Sequence, residues 1–471
     1  MALQIRGTGE RRRATTIGVN EILVYTVVAL AFLLGGTPSG ANGRILLVCV
    51  ASCALLSWAL FSGAWPAFRR LPFLARLALI LIPCVPLAQI VPLPPAVWTS
   101  LPGRETAKAV FALVGADTHW HSLSVTPRGT LFALLMLLPP YAVFFGTLAL
   151  DESARMRCIR LFVALAGLSI LVGLLQVGSR GATLQFYQTA HNGHLLGFFT
   201  NRNHEGLMLA LAAIFSLVAV QIGLADRRAA IFWSAILSVT FLGAAIATSS
   251  RTGMVLTVAG LLAINYHYFV GRLDKRQLLW IVVACLLVAA AAYALSFSRV
   301  VEQSVARYDS IGDDDRWTIW RDVWPLVQQY SPWGSGIGSF VPAYAAIEAI
   351  NNVGPSYINR AHNEYLETLI EGGIPGLAVL ALFGVALVQR ALSGAFGKRR
   401  FSALGIPAGL AILLVALHSI LDYPLRTQTI AVLFAMFLAF FLEEGGARPD
   451  QKRVRVRVER DQNGDPHAQG I

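Results

Sequence analysis

Charge is what this chain has least of. Lys, Arg, Asp and Glu make up only 14% of its 471 residues, against 56% hydrophobic, whereas a soluble domain carries about a quarter charged residues. So little charge cannot coat a water-facing surface, which excludes an ordinary soluble enzyme. Cysteine is scarce too. Four of the five (Cys49, Cys53, Cys84 and Cys285) fall within apolar runs, and Cys158 lies in a short basic connection. Cys49 and Cys53 stand four apart on a helix, a spacing that suits neither a disulfide nor a zinc knuckle. All five read as packing residues. Ionisable groups are nearly missing from the interiors of the apolar runs, where ion-coupled transporters place Asp, Glu or His. No pair of interrupted helices marks an inverted repeat either, so the pattern weighs against an ion-coupled transporter.

Two local patterns fail their context tests. Asp313, Asp314 and Asp315 lack the Gly and Glu of a calcium loop and read as a solvated cap before a helix containing Arg316. Gly334, Gly336 and Gly338 follow no parallel strand, so a dinucleotide-binding reading fails and a turn-rich connector is expected.

What the chain has in abundance is long apolar runs, such as 22–36, 131–150 and 278–295. About 20 apolar residues cross the ~30 Å of a bilayer core, and runs of this length pair their backbone groups internally as helices rather than barrel strands. The fold class is an all-α polytopic membrane protein. About twelve spans are expected, at 21–36, 45–61, 75–90, 130–150, 160–177, 206–223, 229–248, 252–269, 278–297, 374–389, 404–420 and 428–442. The segment after the basic N-terminal tail reads as a retained first span, since no small-residue cleavage site leads into a soluble domain.

The formal net charge of +12 would point to nucleic acid in a soluble chain, but here the placement of the charges decides. Of the 38 Lys and Arg, 25 fall in the two tails and the short connections on one side of the expected spans. The positive-inside rule puts that side, and both termini, in the cytoplasm. The domain organisation is then a tail over 1–20, a transmembrane domain over 21–442 and a basic tail over 443–471, which anionic lipid would hold near the membrane. Three long segments face outward: 91–129, rich in Pro and Trp as for an interfacial segment, 178–204, and 298–373. There is no nucleic-acid signal.

The candidate chemistry lies on the outward side. Ser249-Ser250-Arg251-Thr252-Gly253 reads as a tight turn in which Ser249 or Ser250 caps the next helix. A guanidinium beside free helix N–H groups receives anions, and at this depth the natural anion is a lipid diphosphate; Arg251 snorkelling to a lipid headgroup is the plainer alternative. Over 360–376 a helix is expected from near Ala361 to Gly372-Gly373, with Pro375 opening the next span. Its spacing puts His362, Tyr365, Leu366 and Leu369 on one face and Glu364, Glu367 and Glu371 on another. His362 is a candidate general base on a hydroxyl, or else a hydrogen-bonded packing residue. The segments 198–206 and 418–426 carry amides and charges able to bond sugar hydroxyls or to cap helices.

Taken in order, these segments resemble the O-antigen ligase and polymerase family of bacterial inner membranes. The resemblance rests on Asn201-Arg202-Asn203, Ser250-Arg251-Thr252-Gly253, Arg316-Trp317 with Trp320, and Pro332-Trp333-Gly334-Ser335-Gly336 with Phe340. It continues through His362-Asn363-Glu364-Tyr365-Leu366 and His418 to Arg426, so it covers about residues 200 to 430. It implies a glycosyltransferase that takes a glycan from undecaprenyl diphosphate and passes it, with inversion and without metal or cofactor, to a lipid A-core or growing-glycan acceptor at the periplasmic face. Arg251 and Arg316 would grip the diphosphate, and His362 would orient or deprotonate the acceptor. Asn201, Asn203, Arg360, Asn363, Tyr365, Asp422 and Arg426 are the candidate substrate-binding residues. A polymerase of the same superfamily, and a flippase or exporter of lipid-linked sugar, stand as alternatives.

Overall fold

A computed structural model of the chain describes residues 17–37, 43–189, 191–269, 315–348, 358–396 and 400–443. These residues are mostly helical. The first part comprises α1 (Val19–Leu34), α2 (Gly43–Phe61), α3 (Ala64–Arg70), α4 (Phe73–Ile90), α5 (Pro95–Trp98) and α6 (Glu105–Leu113). It continues with α7 (Pro127–Leu135), α8 (Leu138–Leu148), α9 (Glu152–Gly178), α10 (Arg202–Gly223), α11 (Arg227–Ala247) and α12 (Arg251–Phe269). The second part comprises α13 (Asp315–Asp322), α14 (Trp324–Tyr330), α15 (Phe340–Ala345), α16 (Glu364–Ala395), α17 (Gly405–His418) and α18 (Gln428–Leu442). Among the described residues, seven helical stretches are long and apolar enough to cross a membrane, and α1, α17 and α18 are shorter apolar helices. The chain is thus a polytopic helical membrane protein. The expected span at 278–297 lies outside the described residues, as do Asp313, Asp314 and Cys285.

Sequence and structure differ in several instructive places. The expected span at 130–150 matches the apolar helical stretch Pro127–Leu148, with a local break at Met136–Leu137 because Pro139 and Pro140 cannot donate into a continuous ladder. The basic connection at 151–160 is no loop but the first turns of α9, started by Asp151, whose side chain accepts from the Ala154 N–H. Cys158 is consequently buried inside that helix. Cys49, Cys53, Cys84 and Cys158 are all free thiols. The Pro-rich outer segment contains a short antiparallel pair, β1 (Pro92–Leu93) with β2 (His121–Ser122). Trp98 is buried there and donates to the His119 carbonyl at 3.0 Å, so it packs inside the segment.

The main core is built around α10, whose residues 204–218 are all buried. It is flanked by α12, α11, α9 and α17. Close approach of α10 and α12 depends on two glycines: a Cβ on Gly253 would stand 2.8 Å from the Gly206 Cα. A smaller outer core gathers Val323, Leu326, Phe340, Tyr344, Ala361 and Ile370 from the large segment.

The two ends of the bundle are chemically distinct. One end brings together Glu21, Arg155, Arg157, Arg390 and Glu443. Arg157 pairs with Glu21 through Nη2 at 2.8 Å, Arg155 pairs with Glu443, and Arg390 donates to the Glu443 carbonyl. All of these lie on the side expected from charge asymmetry to be cytoplasmic. The other end joins Gly36 to Thr200, Leu195 to Ala247, Val125 to Ser335 and Glu364 to Ser419. Most of the candidate site residues lie in or next to these segments.

Candidate functional site

At that second end the short connection after α17 folds Asp422 inward until it is 1% exposed. Three elements converge on its carboxylate. From the start of α10, Asn203 Nδ2 donates to Oδ2 at 2.8 Å, Asn201 Nδ2 approaches it at 3.5 Å, and His204 Nε2 stands 3.6 Å from Oδ1. From the segment before α16, His362 Nδ1 stands 3.4 Å from Oδ1. From α17, His418 Nε2 is 4.0 Å from Oδ2, one helical turn before Asp422 in sequence. The Tyr423 N–H donates to Oδ1 at 2.9 Å, and the Tyr423 ring meets His204 and His362 edge-on. Burial alone would raise the Asp422 carboxyl. Interaction with His204 and His362 outweighs it and holds the group well below the usual carboxylate range.

His362 is not on the helix face expected for it. α16 begins at Glu364, because Asn363 caps it by accepting from the Leu366 N–H at 3.0 Å. His362 therefore precedes the helix, in a left-handed conformation with φ of 51°. A residue with a Cβ adopts that conformation at a cost of about 1–2 kcal/mol. It turns the imidazole toward Asp422 while a quarter of the side chain (26%) stays exposed. Such local strain is common where function dictates geometry.

Ser250 links this cluster to Arg251. Its Oγ donates to Asn203 Oδ1 at 2.9 Å and accepts from the Gly253 N–H at 3.1 Å, so it is the cap of α12 that the sequence implied. Arg251 is the first residue of that helix and follows Ser250, whose hydroxyl bonds Asn203. Arg316, on α13, lies close enough for its charge to act at His418. Arg251, Arg316, Asn201, Asn203, His362 and Asp422 thus belong to one neighbourhood.

The remaining candidates make bonds within the protein. Arg360 pairs with Glu367 at 2.8 Å, and Arg426 pairs with Glu371 at 2.9 Å and with Glu367 at 3.3 Å. Burial opposes the Arg426 charge, but Glu371, Glu367 and Glu364 more than offset it and raise the guanidinium above its ordinary value. Glu371 also accepts from the Phe340 N–H, and Glu364 from the Leu425 N–H. These arginines and glutamates tie α16 to the large outer segment and to the 419–427 connection. Asn363 serves as a cap, and the Tyr365 hydroxyl donates to the Ala416 carbonyl, joining α16 to α17.

The glycine-rich 332–339 stretch is the connector that its context implied. Gly334, Gly336 and Gly338 all have positive φ. A Cβ on Gly334 would lie 2.4 Å from the Glu371 carbonyl oxygen. Sequence reasoning did not select His204, His418, Tyr423 or Ser250 as site residues. The signal available was the four-residue interval from His418 to Asp422, which puts both on one helix face if the helix continues.

Among the described residues no cluster of His, Cys, Asp and Glu has the makings of a metal site. No curated protein matches the chain. Residues 236–381, which carry Arg251, Arg316 and His362 but neither Asn203 nor Asp422, match the family model described as O-antigen ligase. Over these residues the chain is similar to the O-antigen ligase family.

Proposed function

We propose that the chain is an inverting glycosyltransferase. It moves a glycan from undecaprenyl diphosphate to an acceptor hydroxyl at the periplasmic face of the bacterial inner membrane. The observation that carries this reading is the pairing of a part-exposed His362 with a buried Asp422, beside the turn that bears Arg251. With Nδ1 turned to the carboxylate, Nε2 is the nitrogen left for the substrate. The acceptor oxygen attacks the anomeric carbon as its proton passes to His362 Nε2. The bond from that carbon to the diphosphate oxygen breaks, and the diphosphate leaves with the electron pair. A single displacement inverts the anomeric centre. Asp422 holds the ring and stabilises the imidazolium that forms. Arg251 and Arg316 bind the diphosphate and offset the charge that builds on the leaving oxygen. Asn201 and Asn203 orient the donor, and Arg360, Asn363, Tyr365 and Arg426 shape the site wall.

The family match supports a ligase- or polymerase-type reaction and not a flippase. A ligase delivering polymer to lipid A-core and a polymerase extending a chain on its carrier share this chemistry. Loss of the gene separates them: long carrier-linked polymer persists without a ligase, whereas single repeat units accumulate without a polymerase. The mechanism is tested with purified wild type, Arg251→Ala and His362→Ala on a lipid-linked donor. His362→Ala should lose about 10²- to 10⁴-fold in turnover. Turnover unaffected by both substitutions would sink the proposal.

A further inference from the structure

The end of the molecule opposite His362 carries a cavity that the transfer reaction does not use. A crevice of about 260 Å³ is lined by Trp65, Phe68, Ile80, Pro83, Tyr141 and Phe145, with Leu79 and Phe144 behind them. It lies between α3, α4 and α8, in the half of the bundle toward Arg155 and Glu21. The direction of α4 fixes this: its far end reaches the outer site, where Gln89 bonds the Glu371 carbonyl and the Ile337 N–H. The wall is a built feature. Pro83 has no N–H for the Leu79 carbonyl one turn earlier, and the Tyr141 hydroxyl, from α8, donates to that carbonyl instead. The crevice floor is therefore polar-satisfied and apolar in surface.

Cations stand at one end of it. On α3, Trp65 and Phe68 line the crevice, and Arg69 follows Trp65 by four residues, on the same helix face. On α4, Ile80 and Pro83 line it, and Arg76 precedes Ile80 by four residues, again on that face. The Arg76 guanidinium stacks near Phe73, and its buried Nε has no hydrogen-bond partner among the described residues. Trp65 and Ile80 are half-exposed at the lip. An apolar slot whose lining residues on α3 and α4 share their helix faces with Arg69 and Arg76 is complementary to an amphiphile with an anionic head.

We propose that this crevice is a binding site for an anionic phospholipid, which inserts an acyl chain between α3, α4 and α8 and sets its phosphate between Arg69 and Arg76. The lipid comes from the leaflet on the side opposite His362, so the site is separate from the donor's. It also pins the α3–α4 connection to the membrane surface.

The test uses the full-length chain in detergent, equilibrated with equimolar phosphatidylglycerol and phosphatidylcholine and followed by mass spectrometry of the intact complex. Wild type should retain about one phosphatidylglycerol in strong preference to phosphatidylcholine. The Arg69→Ala/Arg76→Ala variant should lose that preference by roughly thirty-fold, since each basic residue near an anionic headgroup contributes roughly five-fold. Ile80→Trp, which fills the lip, should release the lipid while keeping the arginines. Equal retention of both lipids by wild type would overturn the proposal without reference to any variant. So would phosphatidylglycerol retention unchanged by both variants. Glycan transfer by Ile80→Trp serves as the control for folding, because no residue of the outer site is altered.

Discussion

At the scale of single residues, the balance at Asp422 governs the site. A fully buried carboxylate is costly unless partners surround it, and here two histidines, two asparagines and a backbone N–H do so. Asp422→Asn keeps the shape but removes the charge that holds the His362 ring. Transfer should fall by about 10²- to 10⁴-fold, as for loss of general-base catalysis, and the unfolding temperature near neutral pH should fall as well; wild-type turnover in the variant would remove Asp422 from the mechanism. The same group gives a pH dependence of known sign. Its folded-state value is depressed, so its contribution to stability is complete above the unfolded value of about 3.9. That contribution is lost as pH falls from there through the folded value. The stability gap between wild type and Asp422→Asn should therefore be constant above about pH 4 and shrink progressively as pH falls below it. Arg426 is a structural counterpart. Arg426→Ala leaves Glu371 and part of Glu367 unpaired, and should cost about 3–5 kcal/mol, read as a lowered unfolding temperature whether or not donor is present.

At the scale of elements, α16 shows how one helix serves two tasks. Its first turns anchor the outer segment through Glu364, Glu367 and Glu371, and the rest has the apolar composition of a membrane span. The break between them is Gly373, with φ of 62°, where a Cβ would stand 2.3 Å from the Pro332 carbonyl oxygen. Ile374 N–H then bonds that same carbonyl at 2.8 Å, locking the break to the glycine-rich connector. Gly373→Ala should destabilise the protein by about 1–3 kcal/mol and reduce transfer, because the displaced turn carries Ser335 and the Glu371–Arg426 pair with it. An unfolding temperature equal to that of wild type would show that the connector can move aside.

At the scale of the whole molecule, the separation of polar clusters to opposite ends gives a topological prediction. In a chain whose five cysteines have been replaced, Asn192→Cys should react in intact cells with a maleimide that cannot cross the inner membrane. Arg228→Cys should react only after the membrane is opened. The reverse pattern would invert the orientation and place the His362 site in the cytoplasm.

The helical membrane class was legible in the sequence because it follows from composition and run length, which no tertiary contact can alter. Local cap chemistry was legible as well: Ser250 and the break at Gly372-Gly373 stand where short-range rules put them. The start of α16 was misplaced by three residues, since Asn363 outcompetes the preceding residues as a cap, and this moved His362 from a helix face to a strained turn. The 151–160 connection was misread because a basic run at a membrane surface looks alike as loop or helix. Which polar residues meet could not be read at all. Asn203, His362 and Asp422 are separated by 159 and 60 positions, and nothing local links them. Only the packing of α10, α16 and α17 brings them to one carboxylate. The sequence by itself determined what must lie in lipid and which end must carry charge, through the cost of placing polar groups in hydrocarbon. Tertiary structure decided that Arg360 and Arg426 bind the carboxylates of Glu367 and Glu371, because pairing depends on distances set by helix packing.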